Sequence, residues 1–428
     1  MMASAECTTD IEVRHREFGA SLFEELRQMS EDGRGVTRPS YSPEEDAAHG
    51  ILKRIAGLHG LEVYRDWAAN LFITLPGVDR TLPAVMTGSH VDTVPVGGNY
   101  DGAAGVVAGL SVLCRWAACG YRPLRDTTLI VTRAEESVWF PVSYIGSRTA
   151  FNLLSDDDLR AERSDTGRSL RAHMRESGAD LTLDRRKPLD AQAIANFVEL
   201  HIEQGPVLIE EDAVIGVVSA ICGSMRYRHA SVIGRYAHSG ATPRSFRADA
   251  VVAMSEFVVA MTQYWEELES AGKAITLTFG VCSTENGIAN FSAVAGNVSF
   301  ALDVRGVDIG LFEEVEQHLR SVVTTIEARH NVRFDLGART GSMPAIMDAG
   351  LQDKALRLSR SRHIPAITMV SGAGHDAATF AGQGVPTLML FVRNANGSHN
   401  PDESLDMQDF ARAATVLDEL LECCAEEI

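Results

Sequence analysis

The chain has 428 residues, too many for one ordinary compact core, and two domains are expected. Its 45% hydrophobic and 23% charged residues are normal for a globular protein, and no run of about 18 apolar residues marks a membrane span. A net charge of −19 argues against nucleic acid, which needs a basic face, but leaves room for a small anion held by a local cation. Residues 1–10 are polar and acidic and lack the basic start and apolar run of a secretory signal, so the cytoplasm is the expected location. Seven scattered cysteines (Cys7, Cys114, Cys119, Cys222, Cys282, Cys423 and Cys424), with no C-x-x-C pair, fit free thiols in a reducing compartment.

In chain order, residues 42–59 read as a helix: Ser42 can cap it, Pro43 suits its first position, and Glu44, Glu45 and Asp46 favour its positive end. The apolar runs 82–89 and 127–134 read as buried strands, with 103–118, rich in Ala, Val, Leu and Gly, as a packed helix between them. FVELHI, residues 197–202, is a further strand. From 222 the rhythm changes: strand 227–234, helix 249–270, strands 277–281 and 298–304, then helix 310–330. That is a β-α-β-β-α-β-like unit, compatible with a ferredoxin-like sandwich. Strand material returns at Thr368, Val370 and 387–392. The fold class expected is α/β: a discontinuous mixed-sheet domain over 1–221 and 339–428, with an α+β domain at 222–338 inserted in it.

Acids and imidazoles fall where these strands end, the edge at which open α/β sheets bind ligands. His90 and Asp92 follow the first strand, and Asp101 lies in the Gly-rich turn 97–102. Glu135 and Glu136 follow the second strand, FVELHI carries Glu199 and His201, and His399 follows strand 387–392. Each alone is ordinary, since a single histidine at a strand end or an Asp in a turn usually serves structure. Together, imidazoles mixed with carboxylates suit Zn, Mn, Co or Ni better than Ca or Mg. A carboxylate can bridge two such ions, and one neighbouring carboxylate must stay unligated to move protons. Successive side chains diverge, so the Glu135–Glu136 pair can divide those tasks.

The segments GSHVDTVPVGGNYDG, RAEES, FVELHIEQGPVLIE, GRYAHSGATPRSFRADA, SGAGHDA and GSHNPDES resemble the hydantoinase/carbamoylase branch of the dinuclear metallopeptidase and aminoacylase superfamily, in order over about residues 20–420. The branch includes N-carbamoyl-L-amino acid amidohydrolases, β-ureidopropionases, and allantoate and ureidoglycolate amidohydrolases. The resemblance implies two divalent ions per subunit, held by His90, Asp101 as bridge, Glu136, His201 and His399. It makes Glu135 the general base, Asp92 and His375 supports behind the ligands, and Gln204 a residue close to substrate. His238 resembles a residue of the lid and dimerisation domain that reaches a neighbouring subunit's site, which implies a homodimer with shared active sites. Arg305 and Asn290 resemble the pair that holds a substrate carboxylate, although their separation is about two residues longer than usual. Two further departures are Ser137-Val138-Trp139-Phe140, where the branch has Gly-x-Arg-Phe, and Ala241-Thr242-Pro243-Arg244, where it has Thr-Thr-Pro-Met.

The expected activity is therefore hydrolysis of a linear, non-peptide amide C–N bond, with an N-carbamoyl-L-amino acid or related ureido acid as substrate. N-acyl amino acid, allantoate or ureidoglycolate hydrolysis and dipeptidase activity are the alternatives on the same scaffold. A non-catalytic binding or dimerisation module is disfavoured, because every expected ligand and Glu135 are present. No nucleic-acid or membrane partner is expected.

Overall fold

The residues Pro43–Leu58 form a helix whose first turn explains it. The Ser42 side chain accepts from the Glu45 backbone N–H, Pro43 opens the helix, and three acids follow. The computed structural model describes residues 3–182, 187–284 and 287–427, with side chains from residue 11. By contacts the chain divides into two units: Met1–Ser219 with Met347–Ser371 and His375–Ile428, and Ala220–Ile346 with Gly372–Gly374.

The first unit is built on a mixed sheet. Its strands run in the order Glu62–Arg65, Leu71–Leu75, Thr127–Thr132, Ala84–His90, Ile194–Ile202, Thr387–Val392 and Ile215–Ile221. The four central strands are parallel, with His90 opposite Thr132 and His201 opposite Phe391. Leu71–Leu75 and Ile215–Ile221 flank them antiparallel. Thr127–Thr132 and Thr387–Val392 are buried at every position, which is why they read as continuous apolar runs. Helix Ala103–Ala118 packs on this sheet, buried almost all round.

Two long helices went unread in the sequence, Ala3–Gln28 and Met407–Glu426. They pack on each other and on Ala103–Ala118. A fully buried polar cluster joins the three: His15 Nδ1 lies 2.7 Å from Ser111 Oγ, and its Nε2 3.1 Å from Asp418 Oδ2. Arg115 and Trp116 also donate to the Asp418 carboxylate.

The second unit has an antiparallel sheet in the order Arg333–Asp335, Gly223–Ile233, Asn297–Gly306, Ile275–Thr284. Helices Ala250–Ser270 and Ile309–His330 each start at an aspartate, Asp249 and Asp308, that caps their first N–H groups. Phe257, Met261, Phe300, Leu319 and Phe334 lie in the core between the helices and the sheet. Arg339–Ser342 pairs with Gly223–Ile233 in this sheet, and by contacts the unit runs from Ala220 to Ile346.

No helix among the described residues is long and apolar enough to cross a membrane. Six cysteines are free, and the side chain of Cys7 lies outside the described ones.

Candidate metal centre

The parallel strands of the first unit point their carboxyl ends the same way, and the expected ligands gather there. His90 ends one strand, Glu135 and Glu136 follow Thr127–Thr132, His201 is next to last in Ile194–Ile202, and His399 lies beyond Thr387–Val392. Donor atoms of His90, Asp101 and His201 lie within 4.8 Å of one another, and so do those of Asp101, Glu136 and His399. Asp101 belongs to both groups, the arrangement a bridging carboxylate needs.

Hydrogen bonds orient the rings. His201 Nδ1 is 2.8 Å from the Ile202 carbonyl, which can only accept, so the proton sits on Nδ1. The Gly102 backbone N–H donates to Nε2, whose lone pair also lies 3.1 Å from Asp101 Oδ1. His90 repeats the pattern, with Nδ1 against the Asp92 carbonyl at 3.1 Å and Nε2 3.6 Å from Asp101 Oδ1. Two lone-pair atoms set against each other call for a cation or a proton between them. The donor set, imidazole nitrogens with carboxylate oxygens, fits divalent transition metals. His399 Nε2 lies 3.2 Å from Glu136 Oε1 and 3.5 Å from Asp101 Oδ2.

Electrostatics follow from this crowding. Burial opposes charge on Asp101, but His201, His90 and His399 hold its carboxyl well below the usual range. Burial pushes Glu135 well above that range; His90 pulls it down, and Glu136, Asp376 and Asp92 push it further up. Its Oε2 is 4.0 Å from His90 Nε2.

Asp92 supports the whole edge. Its carboxylate accepts from Ser40 Oγ at 2.7 Å and from the backbone N–H groups of Glu135 and Glu136 at 3.1 and 3.2 Å, and lies 3.2 Å from His90 Nδ1. His375 packs edge-on against His201, ring centroids 4.5 Å apart, and its Nε2 meets Ser371 Oγ at 3.1 Å. It also forms a donor group with Glu199 and His201. Glu199, however, already accepts from Ser89 Oγ and the Ala377 N–H at 2.8 Å each.

Gly102 shows how tight the site is. Its φ is +65°, and a Cβ there would lie 2.4 Å from His90 Nε2. Ala134, Gln204 and His399 also hold left-handed backbone, at φ +53°, +65° and +60°, a conformation costly for side-chain-bearing residues and often found at functional sites. Gln204 donates from Nε2 to Asp101 Oδ2 at 2.8 Å, so it touches an expected ligand directly.

Glu403 was missed in the sequence reading. It accepts from the Tyr100 and Asp101 backbone N–H groups at 2.8 and 3.2 Å, and the Ser398 hydroxyl, with one proton to give, lies between its Oε2 at 2.7 Å and the Asp101 carboxylate. The available signal was an acid four residues beyond His399 in the same motif. Arg38 was missed too. Fully buried, it donates from Nε to the Val91 carbonyl at 2.6 Å and from Nη1 to Asn99 Oδ1 at 3.0 Å, tying the His90 loop to the turn before Asp101. Trp139 is buried, with Nε1 donating to the Thr93 carbonyl at 2.7 Å, so this departure braces the His90–Asp92 loop.

His238, Asn290 and Arg305 lie in the second unit. His238 is exposed and its Nδ1 accepts from the Gly240 and Ala241 N–H groups at 3.1 and 3.2 Å, leaving the ring proton on Nε2. Asn290 Oδ1 accepts from Ser292, and its Nδ2 donates to the Ile288 carbonyl at 3.1 Å. Arg305 donates to Asp303 from Nε at 2.9 Å and to the Gly372 carbonyl from Nη1 at 2.8 Å, so part of its fork is already engaged. Arg244 lies in the exposed turn Arg244–Phe246.

The fold is that of a known class. Residues 86–422 match the model of peptidase family M20/M25/M40, and the chain belongs to that family. It is similar to the allantoate amidohydrolase of Escherichia coli (strain K12), 34% identical over 385 residues, 90% of this chain and 91% of that protein. It is also similar to the N-carbamoyl-L-amino-acid amidohydrolase of Paenarthrobacter aurescens, 31% identical over 397 residues, 92% of this chain and 94% of that one. Among solved structures, a hydantoinase/carbamoylase family amidase from Burkholderia multivorans superposes with a TM-score of 0.86 at 27% identity, covering 96% of this chain and 98% of that one.

Proposed function

We propose that this chain is a metal-dependent amidohydrolase that cleaves the linear amide C–N bond of an N-carbamoyl-L-amino acid or a related ureido acid. The observation that carries the reading is one sheet edge where Asp101 is shared by two donor groups and the Glu135 carboxylate stands 4.0 Å from His90. His90 and His201 would each hold one of two divalent ions, Asp101 would bridge, and Glu136 and His399 would complete the set. Bound there, the ions would polarise the scissile carbonyl and lower the pKa of water. Glu135 takes a proton from the attacking water and returns it to the leaving nitrogen. Asp92 holds the Glu135–Glu136 turn and the His90 ring in register for that transfer.

In the second unit, the His238 Nε2 proton is set to donate to a developing oxyanion, and we assign it to the site of a neighbouring subunit in a homodimer. Arg305 and Asn290 would take the substrate carboxylate, for which a guanidinium fork is suited. Mixing His238→Ala with Glu135→Gln subunits tests the sharing: restored turnover supports it, and none refutes it. Allantoate, ureidoglycolate and N-acyl amino acids remain alternatives on the same chemistry, as named relatives act on allantoate and on N-carbamoyl-L-amino acids. A panel of N-carbamoyl, ureido and N-acyl acids and dipeptides, each with Mn, Co, Ni or Zn, decides among them. Turnover of none of the ureido or N-acyl acids, or faster turnover of dipeptides, overturns the proposal.

A further inference from the structure

We propose that a hollow in the first unit, beside helix Pro43–Leu58 and apart from the metal centre, binds a small oxyanion, phosphate or carboxylate. The hollow measures about 400 Å³ and is lined by Asp46, His49, Lys53, Arg65, Arg133 and Ser177, among others. Asp46, His49, Gly50 and Lys53 sit at helical spacing on one face of the helix. The face is open at Gly50, where a Cβ would meet nothing within 4 Å.

The first observation is His49. It is only 5% exposed, yet neither ring nitrogen has a hydrogen-bond partner among the described residues. Buried polar groups are nearly always paired, and leaving one without a partner is destabilising. An imidazole on the wall of a hollow, with both nitrogens unmet, is the mark of a place meant to be occupied.

The second observation is charge. Arg133 is already engaged by Glu45 at 2.8 Å and by Asp46 at 2.5 Å, and Glu176, also on the rim, pairs with Arg168. Lys53 and Arg65 form no ion pair among the described residues, and Arg65 donates only to the Ser177 carbonyl, at 2.6 Å. Neither cation is therefore neutralised by a direct ion pair, although Asp46 and Asp66 lie near enough to Arg65 to be felt. Positive charge is felt at the imidazole: burial, then Arg133 and Arg65, drive His49 well below its usual pKa, and burial, then Arg133, lower Arg65 against the pull of Asp46 and Asp66. A neutral His49 offers one N–H and one lone pair. Hydrogen phosphate meets both, whereas a carboxylate meets the N–H alone.

The site adjoins the catalytic turn without belonging to it. Arg133 forms one wall, and the Glu45 carboxylate that grips Arg133 also accepts the Ala134 N–H at 3.0 Å, one residue before Glu135.

Calorimetric titration of the metal-loaded, full-length protein with inorganic phosphate, and separately with acetate, tests this in wild type, Lys53→Ala and Arg65→Ala. Both substitutions are at exposed positions outside the metal centre. The expected result is saturable, one-to-one binding of at least one anion, weakened about tenfold or more in each variant, as loss of a charge-assisted contact implies. The arm that binds identifies the oxyanion. Absence of saturable binding at millimolar anion overturns the proposal, and so does binding unchanged in both variants, which would put the anion elsewhere, such as at the metals.

Discussion

Replacing Asp92 by Asn keeps the volume and removes the charge, and the structure says what fails. The carboxylate accepts three hydrogen bonds, from Ser40 Oγ and the N–H groups of Glu135 and Glu136, and lies against His90 Nδ1. An amide presents one oxygen and one NH2 group to that ring of donors, so at least one N–H of the glutamate turn faces another donor. Hydrogen bonds to a charged acceptor are worth about 1.5–3 kcal/mol, and contacts in one network do not add, so a loss of about 2–4 kcal/mol of stability is expected. The ligands would loosen as well: removing a support behind a metal-bound histidine typically weakens metal affinity by about 10–100-fold, or about 1.4–2.8 kcal/mol. Competition between the protein and a metal-binding dye measures the affinity, and thermal denaturation with and without metal measures the stability. An Asp92→Asn protein that holds metal as tightly as wild type and turns over normally would refute the supporting role.

Glu135→Gln should lower turnover by about two to four orders of magnitude while elemental analysis finds unchanged metal content; full activity removes the base assignment. Gly102→Ala should impair metal binding out of proportion to its size, because the new methyl would lie 2.4 Å from His90 Nε2; metal content equal to wild type would show that the turn can move aside. In the metal-free protein, burial raises Glu45, Glu199 and Glu403 from 4.5 to about 7. The folded state thus holds those protons more tightly than the unfolded chain, a stability present in full below pH 4.5 and lost as pH rises through 7. Metal-free protein should accordingly melt at a lower temperature near pH 8 than near pH 6, and added metal should stabilise more at the higher pH, where it displaces fewer protons. A melting temperature that rises with pH in the metal-free protein contradicts this.

What was legible in the sequence was whatever local pattern determines. Helix Ala103–Ala118 and strand Thr387–Val392 have the bounds read from composition alone, because burial on all sides leaves unbroken apolar runs. The imidazoles and acids of the candidate edge could be singled out because His90, Glu135, Glu136, His201 and His399 fall at or beyond the ends of such runs. Helix Met407–Glu426 went unread although its buried face is extensive, since charged residues on its other face interrupt the run. Leu71–Leu75 is buried throughout but too short to be told from a loop with apolar residues. Arg38 acts through the Val91 carbonyl and Asn99 Oδ1, far along the chain, and no spacing rule announces such contacts. The left-handed backbone at Ala134, Gln204 and His399 was equally silent, because nothing in an alanine, glutamine or histidine demands a positive φ.

The helix Met407–Glu426 has a bearing on how the protein is made. It closes over Ala3–Gln28 and Ala103–Ala118 through Asp418, and the strand next to Ile194–Ile202 in the sheet, Thr387–Val392, comes only shortly before it in the chain. During synthesis the segment carrying His90, Asp101, Glu136 and His201 must therefore wait for a sheet strand and for His399 made much later. Meanwhile the unit Ala220–Ile346, which has its own core, can fold first. A nascent chain stalled before residue 387 should thus contain one finished body and a sheet strand, Ile194–Ile202, with one edge unpaired and open to mispairing.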